Sequence, residues 1–168
     1  PVMIVTKEAP KALDFKSILA ATDFSEQAEC AVAYAGQLAR HYKAGLTVFN
    51  VLEPGEEFPA EADRRMEYAR RRLEEEYGPR LAGVKNQAYV CAYGDPPMEI
   101  LDMSQKTKAD LVIMAHHSKE TDPEKAFLGS TVTTVALNSG CPTMSVNRHF
   151  DLRCGLMYDQ TGDRKSVV

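Results

Sequence analysis

Two short segments in the C-terminal half of the chain carry residues suited to holding a phosphate group. The first, Ala115-His116-His117-Ser118, follows the apolar run 111–114, and the second, Gly129-Ser130-Thr131, opens a helix-like run over residues 132–139. Unpaired N–H groups at the start of a helix favour anions, and small residues let a phosphate approach the backbone. This succession of strand, loop and helix predicts a phosphate-binding loop.

The two adjacent histidines suggest other chemistry, which their surroundings do not support. Neighbouring residues of an extended chain point apart, and no third ligand stands at a suitable spacing, so His116 and His117 do not predict a metal site. No Ser, Cys or carboxylate can be paired with either histidine from sequence, so a catalytic role is not predicted.

Composition limits the class of protein. The 168 residues suit one domain, and the net charge of −4 argues against a general affinity for nucleic acid or anionic membranes. No apolar run is long enough to span a bilayer, and the first residues lack the pattern of a signal peptide. The four cysteines form no C-x-x-C pair and predict reduced thiols in a cytoplasmic protein.

Hydrophobic patterning predicts strands that alternate with helices. Short apolar runs predict five strands at residues 17–21, 46–52, 84–93, 110–114 and 142–146, and helical spacing predicts about four helices between them. In the helix over residues 60–77, arginines interleave with glutamates; a basic docking patch is one interpretation, and an exposed helix face of alternating charge is the other. This alternation predicts βαβ units and an α/β fold with a doubly wound, mostly parallel sheet.

The fold in turn predicts where a ligand lies. In open parallel sheets, ligands bind beyond the carboxyl ends of the strands, where the strand order reverses. If the first and fourth strands are neighbours, this crevice gathers Asp23 and the loop at 115–118, with Val51 beside them. Asp23 has a second interpretation, because Asp23 or Ser25 is a suitable N-cap for the helix that follows.

At this point the chain resembles the universal stress protein family. The matching pieces run in the family order: residues 18–26 (ILAATDFSE), 46–54 (LTVFNVLEP), 94–96 (GDP), 110–118 (DLVIMAHHS), 128–130 (LGS) and 141–142 (CP). The resemblance covers residues 15–148 and leaves an N-terminal arm at 1–14 and a C-terminal tail at 149–168. It implies a Rossmann-like sheet in the strand order 3-2-1-4-5 and a homodimer paired through the fifth strand, Thr143 to Val146.

The resemblance also implies a ligand, ATP or a related adenine nucleotide, with Mg²⁺ where ATP is bound. Asp23 and Val51 would contact the adenosine, and the loop would be lined by Met114, Ala115 and Ser118. By the same resemblance, the residues that hold phosphates would be Gly129, Ser130 and Thr131. Hydrolysis is expected to be slow or absent, because the sequence offers no evident general base, arginine finger or Walker-type lysine.

The loop departs from the family pattern of Gly-x-x-Gly, nine residues and Gly-Ser/Thr. Ala115 and Ser118 stand at the two glycine positions, and ten residues separate Ser118 from Gly129. If both positions required a positive φ, the replacements would each cost about 1–2 kcal/mol. An alternative function therefore stays open, a nucleotide-free dimeric interaction module whose longer loop closes the crevice. The residues 2–5, which are apolar, could add to a sheet edge or lie across a partner.

Overall fold

The computed structural model describes residues 1–5, 14–55, 59–116 and 129–146. Six strands and four helices alternate along these residues. In chain order they are β1 (Val2–Ile4), β2 (Ser17–Ala21), α1 (Glu26–Tyr42), β3 (Gly45–Leu52), α2 (Pro59–Tyr77), β4 (Gln87–Tyr93), α3 (Pro96–Lys106), β5 (Leu111–Ala115), α4 (Ser130–Asn138) and β6 (Thr143–Val146).

The sheet confirms the predicted α/β fold and corrects the number of strands. The five predicted strands are β2 to β6, and they lie parallel in the order β4-β3-β2-β5-β6, which is 3-2-1-4-5 in the predicted numbering. The prediction of five strands is wrong by one, because β1 pairs antiparallel with β6 at the sheet edge. A three-residue strand is too short to show a period, so pattern alone left its placement open.

Two apolar layers hold the sheet between its helices. One face packs against α1 and α2, and the buried residues there include Ile18, Val48 and Leu73. The other face packs against α3 and α4, where Leu19, Phe49 and Val135 are buried. Both faces of the central strands are therefore covered, which is why those strands read as continuous apolar runs.

The start of β4 departs furthest from its predicted position, and the bounds of the other predicted strands lie within one residue of theirs. β4 begins at Gln87 and not at residue 84, because a 3₁₀ turn at Pro79–Leu81 precedes it and the Val84 N–H donates to the Leu81 carbonyl. α3 begins at Pro96, and a proline suits this position because the first N–H groups of a helix have no partner within it. Ser25 is the N-cap of α1, where its hydroxyl accepts from the Ala28 N–H at 3.2 Å.

The helices and the cysteines of the described residues bear on membrane crossing and on thiol state. No helix in the described parts of the chain is long and apolar enough to cross a membrane. Cys30, Cys91 and Cys141 are free thiols, and Cys154 lies outside the described residues. Burial raises the pKa of the Cys91 thiol to about 11, so this thiol stays protonated at neutral pH.

Candidate functional site

The candidate site is a cavity at the carboxyl ends of the parallel strands. β2 lies between β3 and β5. After β2 the chain adds β3 and β4 on one side of it, and later adds β5 and β6 on the other side. This arrangement is the switch point at which doubly wound sheets bind ligands. The cavity there has a volume of about 280 Å³, and it is lined by Ala21, Thr22, Asp23, Ala28, Phe49, Val51, Glu53, Pro96, Ile100, Met114, Ala115 and Thr131.

The cavity brings together five of the residues predicted from sequence. They are Asp23, Val51, Met114, Ala115 and Thr131. Three predicted residues are not among its lining. Of these, Gly129 is the N-cap of α4 and Ser130 is its first residue, immediately before Thr131, while Ser118 lies outside the described residues.

Ala115 occupies the first of the two altered glycine positions without backbone strain. It is the last residue of β5, and the described non-glycine residues with a positive φ are found elsewhere, at Phe24, Lys43 and Lys108. The energetic penalty considered for this position on backbone grounds therefore does not apply to Ala115. What the alanine adds to the cavity is the volume of its methyl group.

The start of α4 leaves its backbone available to an anion. No side chain in the described part of the chain caps this helix, and Gly129 has φ −56° and ψ 155°. A Cβ placed on Gly129 would meet no described atom within 4 Å. The fold of the described residues therefore does not require glycine here, and the open space lies where a group bound to the helix start would approach.

Asp23 is positioned by a buried network around Thr22. The Asn50 side chain donates to the Thr22 carbonyl at 2.8 Å, and the Thr22 hydroxyl bonds the Tyr77 hydroxyl at 2.8 Å. The Thr22 hydroxyl oxygen also accepts a hydrogen bond from the Phe24 N–H at 3.0 Å. These hydrogen bonds fix Thr22 and Phe24, the residues on both sides of Asp23. Burial raises the pKa of Tyr77, so its phenol stays neutral.

Phe24 adopts a conformation that its neighbours must stabilise. Its φ of +62° lies in the left-handed region, which is disfavoured for a bulky residue. The ring stacks on Tyr77 with centroids 6.3 Å apart, and the Arg72 guanidinium lies 4.0 Å from the ring centroid. Arg72 in turn forms a salt bridge with Glu76, in which its Nε lies 2.6 Å from Oε1 of the carboxylate. Strained backbone that surrounding contacts stabilise is a recurrent property of binding loops.

Asp23 itself makes a local turn and does not cap α1. Its Oδ1 accepts from the Ser25 N–H at 3.0 Å, and Ser25 provides the cap. The carboxylate is exposed at the mouth of the cavity. Of the two interpretations given to Asp23, the structure therefore excludes the N-cap role and is compatible with ligand contact.

Sequence reasoning missed a second carboxylate at the mouth. Glu53 follows the end of β3, two residues after Val51, and lines the cavity. The rule that parallel strands end at one edge of the sheet was the signal that could have found it. The described lining therefore contains two carboxylates and no lysine or arginine, which favours groups that donate hydrogen bonds, such as ribose hydroxyls or an adenine amino group.

His116 has a partner that the sequence did not reveal. Its Nδ1 lies 2.8 Å from the Ser145 hydroxyl oxygen on β6, which corrects the expectation that no serine could be paired with it. Ser145 is 1% exposed, so its hydroxyl is buried, and the pair links the residue after β5 to β6. His117 lies outside the described residues, and among those described no three potential metal ligands converge.

Comparison with known proteins gives the family. The model of the universal stress protein family matches residues 14–147, which is most of the chain. The chain belongs to the universal stress protein family. It is 34% identical over 138 residues to a universal stress protein from Thermus aquaticus, described as lying in the 3′ region of the QAH/OAS sulfhydrylase, and the match covers 79% of this chain and 98% of the relative.

Solved structures of the same family share the fold. A universal stress protein in complex with cAMP superposes with a TM-score of 0.65 at 21% identity, with 79% of this chain and 97% of that chain covered. The universal stress protein from Archaeoglobus fulgidus in complex with dAMP gives a TM-score of 0.54 at 18% identity, with 80% and 99% covered. At these identities the likeness shows the architecture of the sheet and its helices.

Proposed function

We propose that this universal stress protein binds an adenine nucleotide, ATP or a related one, in the crevice beyond β2 and β5, with slow or no hydrolysis, as part of a stress response. The observation that carries the proposal is the convergence of Asp23, Val51, Met114, Ala115 and Thr131 on one cavity. Two proteins of the same fold form complexes with cAMP and dAMP, which are adenine nucleotides with one phosphate each.

The cavity offers different chemistry to the two parts of such a ligand. The nucleoside half of the crevice comprises Thr22, Asp23, Phe49, Val51 and Glu53, which combine apolar walls with carboxylates that accept from hydroxyl and amino groups. The phosphate half comprises Ala115 and the start of α4 at Gly129, Ser130 and Thr131, where helix N–H groups attract an anion. Because the described lining holds two carboxylates, ATP is expected to enter with Mg²⁺.

A second candidate function is a nucleotide-free interaction module. It is favoured by the Ala115 methyl, which takes up space at a position where the nucleotide-binding branch of the family has glycine, and by the lack of a basic side chain in the described lining. The two functions differ in whether the cavity has any affinity for adenosine.

Calorimetric titration with adenosine, AMP and Mg-ATP tests the proposal. We expect heat from all three ligands, with AMP and Mg-ATP somewhat tighter than adenosine. Absence of heat with every ligand up to millimolar concentration would exclude nucleotide binding and leave the interaction module. Nucleotide released by acid from freshly purified protein and separated by chromatography gives an independent readout of occupancy.

Self-association and location stay predictions. A homodimer through Thr143 to Val146 would need the outer edge of β6, and β1 lies on this edge. Such a dimer therefore requires β1 to leave. The cytoplasmic location rests on composition and cysteine usage alone.

A further inference from the structure

Helix α2 contacts the loop that carries Asp23 without lining the cavity. Tyr77, the last residue of this helix, bonds the Thr22 hydroxyl at 2.8 Å, and its ring stacks on Phe24 at an interplanar angle of 14°. Arg72 on the same helix places its guanidinium 4.0 Å from the Phe24 ring centroid. No residue of α2 is among the described lining of the cavity. The helix therefore contacts the residues on both sides of Asp23 from outside the candidate site.

The direction of the Asp23 carboxylate depends on the backbone of Phe24. Oδ1 of Asp23 accepts from the Ser25 N–H at 3.0 Å, so this hydrogen bond spans Phe24. The φ of Phe24 is +62°, and rotation about its N–Cα bond to a negative φ would separate the two bonded groups and turn the carboxylate relative to α1. The left-handed region is disfavoured for a bulky residue, so contacts of the ring must hold this conformation.

The Arg72 guanidinium is well placed to hold the Phe24 ring. A guanidinium within about 6 Å of a ring centroid is attracted by the negative face of the ring. Glu76, one turn further along α2, orients this guanidinium, since its Oε1 lies 2.6 Å from Nε of Arg72. Both side chains are partly exposed, and an ion pair of this kind adds little stability. The pair therefore acts chiefly by orienting the guanidinium over Phe24.

A second ion pair of α2 provides an internal comparison. Arg70 pairs with Glu67 at 3.3 Å, and both side chains are more than half exposed. Arg70 lies two residues from Arg72, but it lies over no aromatic ring of the described residues and does not line the cavity. The two arginines thus share a helix and a type of salt bridge, and they differ in the contact with Phe24.

We propose that Arg72 is a positioning residue for the nucleotide site. Its guanidinium holds the Phe24 ring against Tyr77, which keeps Phe24 in the left-handed conformation and keeps the Asp23 carboxylate directed toward the cavity. This inference rests on the proposed function, because it gives α2 a part in the affinity for an adenine nucleotide. The apparent affinity of a site falls with the fraction of molecules in the competent conformation, so Arg72 changes Kd without contacting the ligand.

Substitution of Arg72 tests this role in calorimetry. Arg72→Met keeps an unbranched side chain without the charge, and adenosine and AMP should both bind about three- to fivefold more weakly. Arg72→Lys, which returns a cation to the same position, should stay within about twofold of the parent. Arg70→Met is the matched control and should leave both affinities unchanged.

A double-mutant cycle tests whether Arg72 acts through Phe24. Glycine adopts a positive φ without steric cost, so the Phe24→Gly protein no longer needs a ring contact to hold this conformation. Addition of Arg72→Met to that protein should then change the Kd of AMP by less than about 1.5-fold. A loss as large as in the parent background would show that Arg72 acts by another route and would overturn the proposal.

A tryptophan at position 24 reports on the ring without a ligand. The chain contains no tryptophan, so Phe24→Trp gives a single indole, the ring to which a cation binds best. Addition of Arg72→Met should shift its emission to longer wavelength, because the ring loses its contact and becomes more exposed. Saturating AMP should reverse the shift, since a ligand populates the conformation that it binds. Addition of Arg70→Met should leave the spectrum unchanged.

The outcomes separate this inference from the function on which it rests. A parent that binds no nucleotide removes the proposed function and this inference with it. A parent that binds nucleotide, with an affinity that Arg72→Met leaves unchanged or that Arg70→Met lowers as much, overturns this inference alone. The same holds if Arg72→Lys binds as weakly as Arg72→Met, or if the emission of the Phe24→Trp protein does not respond to Arg72→Met.

Discussion

Buried side-chain hydrogen bonds position the nucleoside half of the crevice, whereas the phosphate half depends on backbone at the ends of β5 and α4. Asn50 and Tyr77 both bond Thr22, which fixes the loop that carries Asp23. At the other half, no side chain of the described residues caps α4, and a Cβ on Gly129 would meet none of their atoms within 4 Å. Side-chain hydrogen bonds therefore fix the shape of the nucleoside half. The phosphate half provides mainly backbone N–H groups and open volume.

This difference predicts how binding energy divides along the ligand. A hydrogen bond to a charged group contributes about 1.5–3 kcal/mol, whereas the end of a helix contributes about 0.3–1 kcal/mol to a nearby charge. The nucleoside should therefore supply most of the affinity, and each added phosphate should supply little. Variants in the two halves should accordingly separate adenosine from its phosphorylated forms.

The largest effect is expected from Asp23→Ala. Loss of the carboxylate that we propose contacts the nucleoside should weaken the binding of adenosine, AMP and Mg-ATP alike, by about 10- to 100-fold in Kd measured by calorimetry. Asp23→Asn, which keeps an oxygen for the Ser25 N–H, should fall in between. Glu26→Ala is the matched control, since Glu26 is an acidic residue three positions from Asp23, at the start of α1, and does not line the cavity. Unchanged adenosine affinity in Asp23→Ala would contradict the assignment of this half.

Gly129→Ala addresses the phosphate half. The added methyl would occupy the space in front of α4, so AMP and Mg-ATP should bind up to about fivefold more weakly while adenosine is unaffected. Gly140→Ala is an unusually close control, because a Cβ there also meets no described atom within 4 Å. It should change neither affinity nor stability. Equal weakening of adenosine by Gly129→Ala would show that the two halves are not separate.

A smaller effect, in the opposite direction, is expected from Ala115→Gly. Removal of a methyl group that lines the cavity should tighten Mg-ATP by about threefold, equivalent to roughly 0.7 kcal/mol. Ala88→Gly is the control, because it removes a methyl group from a strand position far from the crevice and should cost the same stability, about 0.5–1 kcal/mol. If Ala115→Gly leaves every ligand unchanged while the protein stays folded, the interaction-module function gains support.

Sequence reasoning anticipated the parts of this molecule that depend on periodicity. Apolar runs predicted β2 to β6 because both faces of those strands are buried, and their common direction predicted that Asp23, Val51 and Ala115 would meet. The predicted bounds of β4 failed at its start, because a 3₁₀ turn and an irregular segment precede it with side chains that also suit a strand.

Contacts between distant segments were beyond the sequence. The pairing of β1 with β6, the bond between His116 and Ser145 and the network that joins Thr22 to Tyr77 all link residues with no shared period. Glu53 was overlooked for a different reason. Its position after β3 fits the switch-point rule, but its side-chain type suggested no contact with a nucleotide.

The smallest effect on binding is expected from Tyr77→Phe, because Tyr77 affects the nucleoside half only through its hydrogen bond to Thr22. Removing the hydroxyl that bonds Thr22 should lower the free energy of unfolding by about 1 kcal/mol. For a chain of this size, that loss corresponds to a fall of about 2–4 °C in Tm. The affinity for adenosine should fall by less than in Asp23→Ala, because the Asp23 carboxylate is still present. Tyr89→Phe, which removes a half-buried hydroxyl from β4, should leave adenosine binding unchanged.

The same tyrosine gives a pH dependence with a defined sign. Burial raises the pKa of Tyr77 above its ordinary value of about 10, so the folded protein holds the phenolic proton more tightly than the unfolded chain. Stability should therefore fall as pH rises past about 10. Cys91, with a pKa raised to about 11, contributes in the same direction from pH 9 upward. Thermal melts between pH 8 and 11 should show a shallower decline for Tyr77→Phe than for the parent, and equal slopes would mean that the phenol is not desolvated beneath the loop.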